Sequence, residues 1–205
     1  MKVIRLSLVG FGNVGRALVE LLAEKQETLR SEYGFTTLVS GIATRQHGMA
    51  IDENGIDIEK ALQISRSGGS LNPLSSQPIL ETTDDFIHAP PADVLFENSP
   101  VDHHHGQPAI NHLRTALECG MHAITANKGA VVYGFDELTT LAQKNQRRFL
   151  FESTVMDGAP IFSLFRTPLP ASELISFYGI LNSCTNLLLE RMESGDSLEA
   201  AVAYG

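Results

Sequence analysis

Three glycines spaced Gly10-x-Gly12-x-x-Gly15 are the first residues along the chain whose types and spacing suit a chemical task. In such a pattern one glycine permits a tight turn, one lets backbone approach a diphosphate, and one lets a helix pack closely on a strand. Backbone amides that open the helix then face an anion. The chemistry this implies is dinucleotide binding. A second stretch, Thr125-Ala126-Asn127-Lys128-Gly129, follows a short apolar run. At the carboxyl end of a strand, Lys128 can donate to a carbonyl oxygen as negative charge develops on it. A third, Asn182-Ser183-Cys184-Thr185-Asn186, reads as a helix N-cap. Cys184 has no accompanying base and is expected to be a small buried residue rather than a nucleophile. His103-His104-His105 and Asp102 are metal-ligand types, but adjacent side chains rarely converge on one ion and no partner stands at zinc-like spacing. A solvated loop is expected there.

In a dinucleotide-binding unit, the second strand commonly ends in a carboxylate that holds the ribose 2′-hydroxyl of NAD. Here it ends Ala43-Thr44-Arg45, with no carboxylate. Arg45 could meet the 2′-phosphate of NADP through a bidentate fork, which favours NADP over NAD.

These residues need a scaffold, and strand and helix signals alternate along the chain in the manner of α/β proteins. Val3 to Val9 reads as a strand leading into the glycines. Val14, Leu18, Leu21, Leu22 and Leu29 recur at helical spacing after them. Leu38 to Ala43 is a second strand. Residues 44–80 read as loops around a short helix near Ile58–Ile64. Val94–Glu97, Ala123–Thr125 and Arg148–Phe151 are further strands. Helices are marked by Ile110, Leu113 and Leu117, and by Phe135, Leu138, Leu141 and Ala142. Beyond Glu152 the pattern changes: a proline loop, an apolar run from Leu174 to Leu181 that reads as a strand, a helix over Asn186–Met192, and a last helix capped by Asp196 with Glu199. The expected architecture is a Rossmann-like doubly wound parallel sheet over residues 1–150. The beginning of an α+β substrate and dimerisation domain follows over 151–205.

Composition narrows the partners. Lys plus Arg number 15 against 24 Asp plus Glu, a net charge of −9 over 205 residues. That disfavours nucleic acid and anionic membrane surfaces, which select basic proteins. No apolar run approaches the roughly 18 residues of a membrane span, and the N-terminal run, short and quickly interrupted, is expected to be a strand rather than a signal peptide. Two cysteines, Cys119 and Cys184, make no disulfide framework. A reduced, cytoplasmic protein is expected.

Taken together, the motifs resemble homoserine dehydrogenases. The resemblance rests on Gly10-Phe11-Gly12-Asn13-Val14-Gly15, Glu97-Asn98-Ser99-Pro100, Thr125–Gly129, Glu152-Ser153-Thr154-Val155-Met156-Asp157-Gly158-Ala159-Pro160 and Gly179–Asn186, in that order. It implies NAD(P)H-dependent reduction of L-aspartate 4-semialdehyde to L-homoserine, on the route to threonine, methionine and isoleucine. It also implies site roles. Gly10, Phe11, Gly12, Asn13, Val14 and Gly15 would hold the pyrophosphate. Ser99 and Pro100 would lie near the nicotinamide, and Asn127 and Lys128 between nicotinamide and substrate. Gly179, Asn182, Ser183 and Thr185 would border the substrate. Backbone carbonyls of Glu152, Val155, Asp157 and Ala159 would surround a monovalent cation, Na+ or K+. A homodimer is implied as well. Ser183 stands where the family usually has glycine, and the chain stops inside a predicted helix. The expectation is therefore an N-terminal portion with little turnover alone. The alternatives are a dinucleotide-binding short form and a related enzyme such as aspartate dehydrogenase.

Overall fold

The computed structural model describes residues 1–156, 158–167 and 171–204. The chain divides into two compact units, Met1–Phe151 and Glu152–Gly205. The first contains, in order, β1 (Lys2–Val9), α1 (Asn13–Glu24), α2 (Gln26–Tyr33), β2 (Phe35–Ala43), β3 (Met49–Ile51), α3 (Ile58–Ser67), α4 (Thr83–His88), β4 (Val94–Glu97), α5 (Ala109–Glu118), β5 (His122–Thr125), α6 (Lys128–Lys144) and β6 (Phe149–Leu150).

Local chemistry sets many of these boundaries. The Asp57 side chain accepts the Lys60 N–H to start α3, and Gly68 closes that helix in the left-handed conformation. Thr82 caps α4 by accepting from Asp85 N–H. Asn127 caps α6 by accepting from Gly129 N–H, so this helix begins directly after the β5 motif, well before its periodic residues.

The strands form one sheet in the order β3-β2-β1-β4-β5-β6. All neighbours are parallel except β3, which pairs antiparallel with β2 at the edge. Apolar residues fill both faces. On one, Leu6, Leu8 and Ile42 pack with Val19 of α1 and Ala61 of α3. On the other, Val9 and Leu95 pack with Phe86 and Ile87 of α4 and Ala116 of α5. This is the doubly wound arrangement, and its strand order reverses between β1 and β4, where such folds open a crevice.

Three sequence expectations change in this unit. The single helix after the glycines is two, broken at Lys25. Its buried face is Gly15 and Val19 rather than Val14 and Leu21, which are 54% and 51% exposed. The reason is that Gly15 must face inward, which turns Val14 out. The stretch 44–80 holds strand β3 as well as the helix; three residues are too short for a periodic signal. Helix α4 had no sequence signal strong enough to mark it.

The second unit contains a 3-10 turn at Glu152–Thr154, then α7 (Ile161–Arg166), α8 (Ser183–Glu193) and α9 (Leu198–Tyr204). Helices α8 and α9 are joined by an Arg191–Asp196 ion pair at 2.6 Å and by Arg191 stacking 4.1 Å from the Tyr204 ring centre. Asp196 is thus an ion-pair partner and not the cap of α9; Ser197 Oγ accepts the Ala200 N–H instead. The strand expected at Leu174–Leu181 does not form. Ile175 is 92% exposed, and among the described residues this unit has no strand to bond its backbone. Cys184 is exposed rather than buried, because it lies in the first turn of α8.

Two outcomes follow from the first unit. Leu95, fully buried at the sheet centre, should lower stability by about 2–5 kcal/mol on Leu95→Ala, read by urea unfolding. The second concerns His122, whose Nδ1 accepts the Arg148 N–H at 3.0 Å. Burial, with the positive charges of Arg147 and Arg148, pushes its pKa down. The folded state therefore favours the neutral ring, so this contribution is present above the usual histidine pKa and lost as pH falls through it. Thermal melting should drop less steeply with acidification in His122→Gln than in the wild type.

Candidate functional site

The site grows from the turn between β1 and α1. Gly10 has φ +94° and donates its N–H to Ala43 O at 2.8 Å. A Cβ there would stand 2.4 Å from the carbonyl oxygen of Asn98, and one on Gly15 would stand 2.7 Å from the carbonyl of Gly10. Both positions admit only glycine because backbone occupies the space of a side chain. Gly12 differs: a Cβ there meets nothing within 4 Å, and the residue borders a cleft. No side chain caps α1, so its first-turn amides are available to an anion. Of the remaining motif residues, Phe11 is buried at the cleft wall. Asn13 and Val14 are exposed, and Asn13 accepts from Arg16 Nη2 at 2.7 Å.

The cleft has a volume of about 740 Å³ and is built from the loops after β1, β2 and β4. Its β2 end carries Thr44, Arg45, His47, Arg16 and Ser65. Thr44 Oγ1 accepts the His47 N–H at 2.8 Å and donates to Gly48 O at 3.0 Å, which folds the loop back on itself. His47 Nδ1 lies 3.0 Å from Gly69 O; a carbonyl only accepts, so this nitrogen carries the proton. Arg16 Nη1 donates to Ser65 Oγ at 3.3 Å. Two guanidinium groups therefore border this end, and among the described residues no carboxylate does. Arg16 was not expected from the sequence, though its place one residue after the third glycine was a usable signal.

The opposite end follows β4 and includes Asn98, Ser99, Pro100, Asp102 and His112. Asp102, the one acid at this end among the described residues, is turned to the backbone N–H groups of His104, His105 and Gln107, which hold its carboxyl below the usual range. The three adjacent histidines are exposed. Behind the wall, fully buried Glu97 lies 3.4 Å from His112 Nδ1. Asn98 Nδ2 and Ser99 Oγ are buried polar atoms with no partner among the described residues. Such atoms are costly unless a ligand or water meets them. Asn127 is buried and its side chain is occupied by protein groups, while Lys128 is exposed in the first turn of α6. Neither borders the cleft.

The other expected residues belong to the second unit. The Glu152 carboxylate accepts the Ser163 N–H at 3.1 Å and its hydroxyl at 2.6 Å, and these bonds lower its pKa. The Ala159 carbonyl accepts the Ile161 N–H at 2.9 Å. Asp157 lies outside the described residues. Asn182 Oδ1 caps α8 through the Thr185 N–H at 3.0 Å, and Gly179 and Ser183 are exposed.

A doubly wound sheet with a three-glycine turn, room at Gly12, unpartnered polar atoms and a cationic cleft end defines a dinucleotide-binding domain. Comparison with known proteins gives the family. The family model described as homoserine dehydrogenase, NAD binding domain, matches residues 10–152, and the chain belongs to that family. It is 35% identical over 202 residues to the NAD(+)-dependent homoserine dehydrogenase of Pseudomonas canavaninivorans, covering 97% of this chain and 56% of that protein. It is 32% identical over 186 residues to the homoserine dehydrogenase of Methanocaldococcus jannaschii, covering 91% of this chain and 55% of that one. The putative homoserine dehydrogenase of Archaeoglobus fulgidus superposes with a TM-score of 0.82 at 29% identity, over 98% of this chain and 58% of that structure. A mutant hyperthermophilic archaeal homoserine dehydrogenase in complex with NADPH superposes at 0.78 with 28% identity, over 98% and 60%. The chain thus spans a little over half the length of these relatives.

The glycines should separate by experiment. Gly12→Ala should leave the melting temperature nearly unchanged, since its Cβ enters open space, yet weaken NADPH binding. Gly15→Ala should lower stability by about 1–3 kcal/mol through its backbone clash, seen as a lower melting temperature.

Proposed function

We propose that this chain is the cofactor-binding part, with the start of the substrate part, of an enzyme that interconverts L-aspartate 4-semialdehyde and L-homoserine with NAD(P)(H). The observation that carries the reading is the cleft at the β1–β4 switch point, with its three-glycine turn, in a chain 35% identical to a protein named as a homoserine dehydrogenase. The dinucleotide, when bound, supplies or accepts the hydride. The pyrophosphate lies over Gly12 and the α1 amides, the adenosine end against Thr44–His47, and the nicotinamide end against Asn98–Pro100. Lys128 supports negative charge developing on the substrate oxygen, a charged donor suited to an alkoxide. Gly179, Asn182, Ser183 and Thr185 border the substrate. A monovalent cation on the Glu152, Val155 and Ala159 carbonyls, a homodimer and a cytoplasmic setting belong to the same reading. Among the described residues no helix is long and apolar enough to cross a membrane.

NADP is favoured over NAD. Arg45 and Arg16 border the adenosine end with no carboxylate beside them among the described residues, in a chain whose net charge is −9. A 2′-phosphate fits guanidinium forks and no acid stands to repel it. Titration with NADPH and NADH should show tighter NADPH binding. Arg45→Ala should weaken NADPH about tenfold, as expected for a lost charge-assisted hydrogen bond, and NADH about twofold or less. Equal losses for both would overturn the 2′-phosphate role argued for Arg45. Homoserine-dependent reduction of NADP+ tests the activity directly. These 205 residues alone should show little or no turnover, as expected of a part of the enzyme, and robust homoserine oxidation would overturn the reading of the chain as a part while supporting the dehydrogenase. Turnover with aspartate and not homoserine would move the substrate assignment to an amino-acid dehydrogenase of similar build.

A further inference from the structure

Two buried side chains, Glu97 and Asn127, hydrogen-bond the same short segment of backbone. Strand β4 stops at Glu97, whose side chain is 0% exposed. Its Oε1 accepts the Ser99 N–H at 3.1 Å, and Oε2 lies 3.3 Å from the Thr125 hydroxyl. Thr125 Oγ1 in turn accepts the Asn127 N–H at 2.9 Å. Asn127, 3% exposed, divides its amide between two tasks. Oδ1 accepts the Gly129 N–H at 3.0 Å and caps α6, while Nδ2 donates to the carbonyls of Ser99 at 3.2 Å and Pro100 at 3.4 Å. The N–H of Ser99 is thus held by one residue and its C=O by the other. The side-chain atoms left without partners, Asn98 Nδ2 and Ser99 Oγ, belong to this segment and border the cleft.

We infer that Glu97 and Asn127 are positioning residues that fix the Asn98–Pro100 backbone as a rigid wall for the nicotinamide end of the dinucleotide. A buried carboxylate is tolerated only when its lone pairs are met, and here the groups that meet them come from the segment after β4, from β5 and from α5. Helix capping alone would need only Oδ1 of Asn127. The amide hydrogens serve the loop, and an aspartate would cap equally well. Holding the loop before a ligand arrives removes part of the ordering cost of binding. The wall lies opposite Thr44–His47, so its occupant is the nicotinamide half and not the adenosine half. This inference rests on the dinucleotide orientation proposed above.

The test separates the two halves of the ligand. Asn127→Asp keeps an acceptor for Gly129 and removes both donations to the loop carbonyls. It also sets a buried carboxylate oxygen against two carbonyl oxygens, so it should melt below the wild type, and the folded protein should bind NADPH about tenfold more weakly, the loss expected for about two hydrogen bonds. It should bind 2′-phospho-ADP-ribose, which lacks nicotinamide, within about twofold of wild type. Glu97→Gln, which keeps one acceptor, should show the same pattern with a smaller loss and serves as the second variant if Asn127→Asp unfolds. Equal weakening of both ligands, or unchanged NADPH affinity, overturns the positioning role while leaving dinucleotide binding intact. A wild-type chain that binds neither ligand overturns the dinucleotide reading itself and this inference with it.

Discussion

The rest of the first unit depends on one close approach of backbone to backbone. The carbonyl of Asn98 occupies the place where a side chain on Gly10 would stand, and the carbonyl of Gly10 does the same for Gly15. Together with the Gly10 N–H bond to Ala43 and the Asn98 N–H bond to Val9, this brings the ends of β2, β1 and β4 to one line. The cleft exists because three loops leave that line together. The α1 axis is aimed by the same contact, since Gly15 must lie against the turn for the helix to pack on the sheet.

Charge is then distributed unevenly along the cleft. The chain as a whole is acidic, yet the β2 end presents Arg16 and Arg45. At the β4 end each carboxylate is already engaged. Asp102 is turned to three backbone amides, and Glu97 is buried against Ser99, Thr125 and His112. An acid whose lone pairs are met by the protein can sit beside an anion site with far less penalty than a free one. The acids here therefore shape the loops, and the arginines line the cleft.

Much of this was legible in local sequence. The Gly10–Gly15 spacing announced the turn, the Val94–Glu97 run matched β4 residue for residue, and Asn182 was recognisable as a cap because its oxygen type and position suit free helix amides. Other features were not legible because they are set by distant partners. The inward face of α1 is dictated by Gly10 rather than by its own leucines. Strand β3 exists because β2 offers it an edge, and the Leu174–Leu181 run stays irregular because no strand lies beside it in its unit among the described residues. Asp196 looked like a cap and is an ion-pair partner of Arg191.

The sequence by itself determined the chemistry available: a glycine pattern for a diphosphate, an arginine in place of an acid after the second strand, and a lysine after the fourth. Those are properties of residue type and short spacing, which survive any arrangement of the rest. Only the tertiary structure decided what each polar group does. It engaged Asn127 with the backbone of Ser99 and Pro100, brought Arg16 to the cleft, and buried Glu97 as a hub. The physical reason is that a hydrogen bond across 28 residues of chain is invisible to spacing. It forms because the parallel pairing of β4 with β5 sets Glu97 beside Thr125.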